Sequence, residues 1–169
     1  ERVAEGVIEA GIIAVVQRRA RPAGDGRGRA CDRRHAEILV AIRARCGRVR
    51  VLFEAARLEQ LITEIDRKSV VEMVADFLNE LPERMSEIRR LQDVGHGPEL
   101  KRAAHSLKGL FTLFGFQPLS DKLQTIEETA GMNDFIRTAT LLEELAAPVE
   151  SAIAQLYEWL ETQRAKAGE

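Results

Sequence analysis

Cysteine is nearly missing from this 169-residue chain, which has Cys31 and Cys46 and no others. Two thiols make no disulfide framework, so a reducing, cytoplasmic setting is expected. Aromatic residues are also few, at 5%. With abundant Leu, Ala, Glu and Arg, that shortage argues against a sheet protein and for helices. Long hydrophobic runs are lacking as well. The most apolar stretch near the start, "VIEAGIIAVV", is ten residues long and contains Glu9. It is too short to span a bilayer and lacks a signal peptide's plan, so no membrane insertion is expected. Lysine is absent from residues 1–50, where twelve Arg face six acidic residues, a surplus of six positive charges. Residues 51–169 hold thirteen basic and twenty-one acidic residues, an excess of eight negative charges. The two parts read as different kinds of chain.

Residues 1–51 form an Arg/Gly-rich segment or linker. Within it "RRARPAGDGRGRACDRR" has little to bury, while "HAEILVAIRARC" shows helical spacing at Ile38, Leu39 and Ile42. The arginines could touch nucleic acid, but no aromatic residue stands among them to stack a base. No nucleic-acid partner is therefore expected. Cys31, His35 and Cys46 are three possible metal ligands at irregular spacing, a weak pattern, and no metal is expected. Because the first residue is Glu rather than Met, the chain is expected to be a fragment or a processed product.

From about residue 56 apolar residues recur at helical intervals. Leu58, Leu61, Ile62 and Ile65 mark a short helix. Val70, Val74, Phe77, Leu81, Met85 and Ile88 form a stripe that Pro82 should kink or open. "DVGHGP" reads as a turn, with Pro98 suited to the first position of the next helix. Leu119, Leu123, Ile126 and Ala130 follow Pro118. Gly131 can close that helix, and Asn133 or Asp134 can cap a last long one through Leu141, Leu145, Val149, Ile153, Leu156 and Leu160. Short loops between such helices predict an all-α, antiparallel bundle over residues 52–169.

One histidine stands out in "AHSLKGLFTLFGF", residues 104–116. At about 100° per residue, the arc opposite His105 holds Leu100, Ala103, Ala104, Leu107, Leu110, Phe111 and Phe114. His105 thus points outward. Lys101, Arg102, Lys108, Gly109, Thr112 and Phe116 share its side, and Leu113 borders it. A glycine inside a helix costs about 1 kcal/mol relative to alanine, so Gly109 suggests room for a partner one turn from the imidazole. Lys108 brings a cation that can meet an oxyanion such as phosphate. A neutral imidazole is a good nucleophile near pH 7, and no second base or phosphate loop accompanies it. This pattern predicts phosphoryl acceptance on His105, with the remaining machinery on a partner.

"AHSLKG", followed by "FGF" ten residues after the histidine and by "LSDKLQTIEETA", resembles the histidine-containing phosphotransfer (HPt) domain over roughly residues 52–166. The resemblance implies a four-helix bundle with an accessory helix. It implies that His105 exchanges a phosphoryl group with receiver-domain aspartates, with Lys108 beside the phosphate and Gly109 giving access. Lys101, Arg102, Thr112, Leu113 and Phe116 would then serve docking. The family's polar residue on the following helix, often Gln in relay modules, falls here on Glu127, as in the phosphotransfer domain of chemotaxis kinases. "GLFTLFG" also differs from the small residues common after the glycine. Expected partners are receiver domains of response regulators or hybrid kinases, which would supply Mg²⁺; the module, a monomer, would have no cofactor and no catalytic machinery of its own. The alternative is a phosphotransfer fragment of a hybrid or chemotaxis-type histidine kinase.

Overall fold

The computed structural model describes residues 51–167, which form five helices and, among the described residues, no strand. They are α1 (Ala55–Glu64), α2 (Arg67–Asp93), α3 (Gly97–Leu113), α4 (Gln117–Gly131) and α5 (Phe135–Ala167). Helices α2 to α5 pack in order around a common core and α5 closes back on α2, while α1 lies against α2. This is the expected all-α bundle with its accessory helix. The Arg/Gly-rich segment, with Cys31, His35 and Cys46, lies outside the described residues. Among the described residues no helix is long and apolar enough to cross a membrane.

Three-residue links join α2 to α3, α3 to α4 and α4 to α5, and all three use the same device. At each one a residue in the left-handed region follows the helix: Gly95 (φ 70°), Gly115 (φ 82°) and Asn133 (φ 57°). Behind each stands the same pair of reversed hydrogen bonds. His96 N–H donates to Leu91 O, Phe116 N–H to Phe111 O, and Asp134 N–H to Thr129 O, at 2.8–3.0 Å. The left-handed residues donate to Gln92, Thr112 and Ala130. Such turns satisfy the last carbonyls of a helix and reverse the chain at once. Gly131, expected to close α4, is the helix's last residue, and Asn133 supplies the left-handed position. Asp134 then accepts from Arg137 N–H at 3.1 Å, the cap expected there.

Inside α2, Asp66 caps the first turn by accepting from Ser69 N–H at 2.8 Å. The helix runs unbroken through Pro82. The ring removes the backbone donor to the carbonyl four residues back, the opened bond expected there. The whole stripe from Val70 to Ile88 is buried, as are Leu119, Leu123, Ile126 and Ala130. Phe111, out of keeping with the family's usual small residues, is completely buried. Its ring packs edge-on against Phe77 and Phe116, with centroids 5.4 and 6.0 Å apart. Phe116 in turn stacks on Phe53 at 4.8 Å.

Phe53 belongs to a short irregular strap ahead of α1. Val51 N–H donates to Ser151 Oγ at 3.4 Å and Val51 O accepts from Gln155 Nε2 at 3.1 Å, both on α5. Glu54 N–H donates to Gly115 O at 2.9 Å. Val51, placed by sequence in the first segment, is therefore buried against the bundle.

Residues 51–169 alone are expected to melt as one cooperative helical unit, followed by circular dichroism. Loss of cooperativity would mean that the first fifty residues help build the core. A second expectation concerns Gly97, where an added Cβ would run into Asn133 Oδ1 and stand 2.8 Å from Ala130 O. Gly97→Ala should destabilise by about 1–3 kcal/mol, measured by denaturant unfolding.

Candidate functional site

Helices α3 and α4 run antiparallel from the link at 114–116, and their facing residues mirror one another about Phe116. Thr112 Oγ1 lies 2.6 Å from Ser120 Oγ. One step further out, His105 Nδ1 lies 3.1 Å from both carboxylate oxygens of Glu127. Beyond that, the Lys101 side chain crosses Gly131, where a Cβ would stand 3.4 Å from Lys101 Cδ. Each advance along α3 is matched by an equal retreat along α4.

His105 sits mid-helix with its side chain 67% exposed, as the wheel predicts. Lys108, at i+3, reaches back over the same turn, because helical side chains lean toward the N-terminus. Its Nζ donates to Glu127 Oε2 at 2.8 Å. The Lys108 and Glu127 side chains are 22% and 15% exposed. Lys108 is thus engaged and half-buried, where the sequence suggested a cation free on the surface. Nothing lies within 4 Å of a Cβ placed on Gly109, so the surface beside the imidazole is open.

Burial pushes the Glu127 carboxyl up. Hydrogen bonds from Lys108 and His105, together with Coulombic attraction to both, outweigh that and hold it below the usual carboxylate range. Glu127 is therefore ionised at neutral pH, and its pairing is lost only as acid titrates it through that lowered range. An ionised carboxylate only accepts hydrogen bonds, so the proton at its contact with the ring belongs to Nδ1. The lone pair of the neutral ring is then on Nε2, for which no protein partner exists among the described residues. An exposed nitrogen nucleophile, a ring held from behind and a neighbouring ammonium together suit transfer of an anionic group.

The proposed docking residues divide. Lys101, Arg102 and Thr112 are exposed beside His105, although Arg102 is engaged by Glu99 at 3.2 Å. Leu113 is half-buried against the core. Phe116 is wholly buried and is not part of an exposed docking face. The wheel that put it beside His105 assumed an unbroken helix, whereas the turn at Gly115 sends its ring inward onto Phe53 and Phe111. Sequence reasoning did not single out Ser120 or the close passage of Lys101 over Gly131. Reflection of α3 onto α4 about the link would have paired both.

Comparison with curated proteins and with solved structures gave no match. A family model described as the Hpt domain matches residues 72–164, a span that includes α3, α4 and every residue of the site. More than half of the chain lies within that match. The chain belongs to the Hpt domain family, histidine phosphotransfer modules of phosphorelays that work with receiver domains and carry no catalytic machinery of their own.

Proposed function

We propose that His105 is the phosphoacceptor, taking its group from a receiver-domain aspartyl phosphate and passing it to another receiver. The observation that carries this reading is the exposed imidazole whose Nδ1 is held by Glu127. The Nε2 lone pair attacks phosphorus in line, the N–P bond forms, and the P–O bond to aspartate breaks with its electron pair leaving on the carboxylate. The ring becomes cationic as it bonds, and the Glu127 carboxylate at Nδ1 stabilises that charge. Lys108 stands beside this point to offset charge on the phosphoryl oxygens, and the open surface at Gly109 admits the receiver. Mg²⁺ belongs to the receiver's half of the reaction. Lys101, Arg102, Thr112 and Leu113 form the docking rim, and the module acts as a monomer. Residues 51–169 are proposed as the relay unit and the Arg-rich segment as a linker without a role in transfer.

Glu127 also favours a second reading, in which the donor is the ATP-dependent domain of a chemotaxis-type kinase. Labelling His105 by such a kinase domain with ATP, and not by any phospho-receiver, would support it.

Mixing the protein with a labelled phospho-receiver and Mg²⁺ should place one acid-labile, base-stable phosphoryl group on His105. His105→Gln should take up none and keep its helical spectrum, and His96 should stay unlabelled. Label that persists in His105→Gln, or survives acid, overturns the assignment.

At Gly109, stability and activity should separate. Gly109→Ala is expected to add up to about 1 kcal/mol of stability, because its Cβ meets only open space. Gly109→Gln should obstruct docking and slow transfer by tenfold or more. Wild-type transfer by Gly109→Gln would refute the access argument.

A further inference from the structure

A groove of about 390 Å³ opens between α2 and α3, on the far side of α3 from His105. Leu110 and Phe114, which line it, lie about 140° and 180° round α3 from the imidazole. With Met73 and Phe77 of α2 they make an apolar floor. Along the α2 rim stand Glu72, Asp76 and Glu80, exposed carboxylates one turn, or about 6 Å, apart. Their own pairing is incomplete. Glu80 is bound by Arg84 at 2.7 Å. Glu72 has only Lys68, 3.9 Å away and 85% exposed, a contact of little worth. The Asp76 carboxylate has no ion pair or hydrogen bond among the described residues.

The opposite charge lies in the same chain. Residues 17–34, "QRRARPAGDGRGRACDRR", hold seven Arg and two Asp, a surplus of five positive charges, and no large apolar side chain. Such a stretch has little to bury by itself, but arginine suits a carboxylate-rimmed groove. We propose that residues 17–34 fold back onto the α2–α3 groove of their own chain. Guanidinium forks pair with Asp76 and Glu72, while the methylene stems lie over the half-buried Met73 and Leu110. Sixteen residues separate Arg34 from Val51, a reach of up to about 53–58 Å. Two helix diameters, about 20–24 Å, span the bundle, so the tether is long enough from any side. It also holds the segment near the groove at an effective concentration on the order of millimolar, which populates contacts that are individually weak. Because the groove faces away from His105, docking leaves the acceptor open.

Two thiols report on this contact: Cys31 lies inside the docking stretch and Cys46 in the tether. The 169-residue chain and its Glu72→Gln/Asp76→Asn variant are alkylated with N-ethylmaleimide, and each thiol's rate is read by peptide mass spectrometry. Both substituted side chains are exposed and outside the core. At about 20 mM salt, Cys31 should react about threefold or more slowly in the wild type than in the variant, and at about 0.5 M salt the difference should vanish. Cys46 should react alike in both. Equal Cys31 rates at low salt overturn the proposal. Protection of Cys31 that grows with protein concentration also overturns it, because the groove would then hold a second copy's segment. A second variant, Arg27→Gln/Arg29→Gln/Arg33→Gln/Arg34→Gln, leaves the bundle's own residues untouched. It should shift the amide NMR signals of Met73, Asp76 and Leu110 and spare those around Gly97, at the other end of α3. Unmoved groove signals overturn the fold-back.

Discussion

The reversal at Phe114–Gly115–Phe116 is the constraint on which the site depends. Gly115 must sit at φ 82°, and a Cβ there would stand 2.6 Å from Glu54 O, so glycine is required twice over. With the chain turned in three residues, the register between α3 and α4 has no freedom left. Thr112 meets Ser120 and His105 meets Glu127 because both pairs lie equally far from the turn. The carboxylate behind the imidazole thus follows from a backbone torsion at Gly115, ten residues from His105 and twelve from Glu127. The buried Phe116, locked between Phe53 and Phe111, keeps the turn from shifting.

The same geometry reconciles two demands that ordinarily conflict. A group that must be reached by another protein has to be exposed, and exposed side chains sample several rotamers. Here the ring lies in solvent while its far nitrogen is gripped by a carboxylate at the edge of the core. That carboxylate can stay ionised at partial burial because two donors converge on it. Removal of side-chain bulk at Gly109 then leaves the exposed edge unobstructed. Orientation comes from α4, exposure from the middle of α3, and access from a missing Cβ.

Much of this was legible in the sequence, and the misses have a common cause. Helical periodicity located the buried stripes of α2, α4 and α5, and the wheel correctly turned His105 outward. Periodicity describes one helix at a time, however. It placed Phe116 on the exposed side because it carried α3 past the glycine that ends it. It left Lys108 free because the ion pair with Glu127 lies across two helices. It assigned the closure of α4 to Gly131, where the backbone uses Asn133, since either residue type tolerates the left-handed region. Of the two Schellman glycines, Gly95 lay in a segment read as a turn, whereas Gly115 was noted only within the "FGF" motif. What they implied about cross-helix register was not read from them.

The strap at residues 51–54 has a consequence for how the molecule assembles. The contacts of the site join residues 8, 19 and 22 positions apart, whereas Val51 meets Ser151 and Gln155 across 100 and 104 positions. Short loops close at a smaller entropic cost than long ones, and local contacts favour rapid folding. The α3–α4 hairpin therefore has the means to bring His105, Lys108 and Glu127 together early, as a local event. The strap closes over the opposite span of chain and secures a hairpin whose chemistry is already in place. Local order creates the site, and long-range order makes it durable.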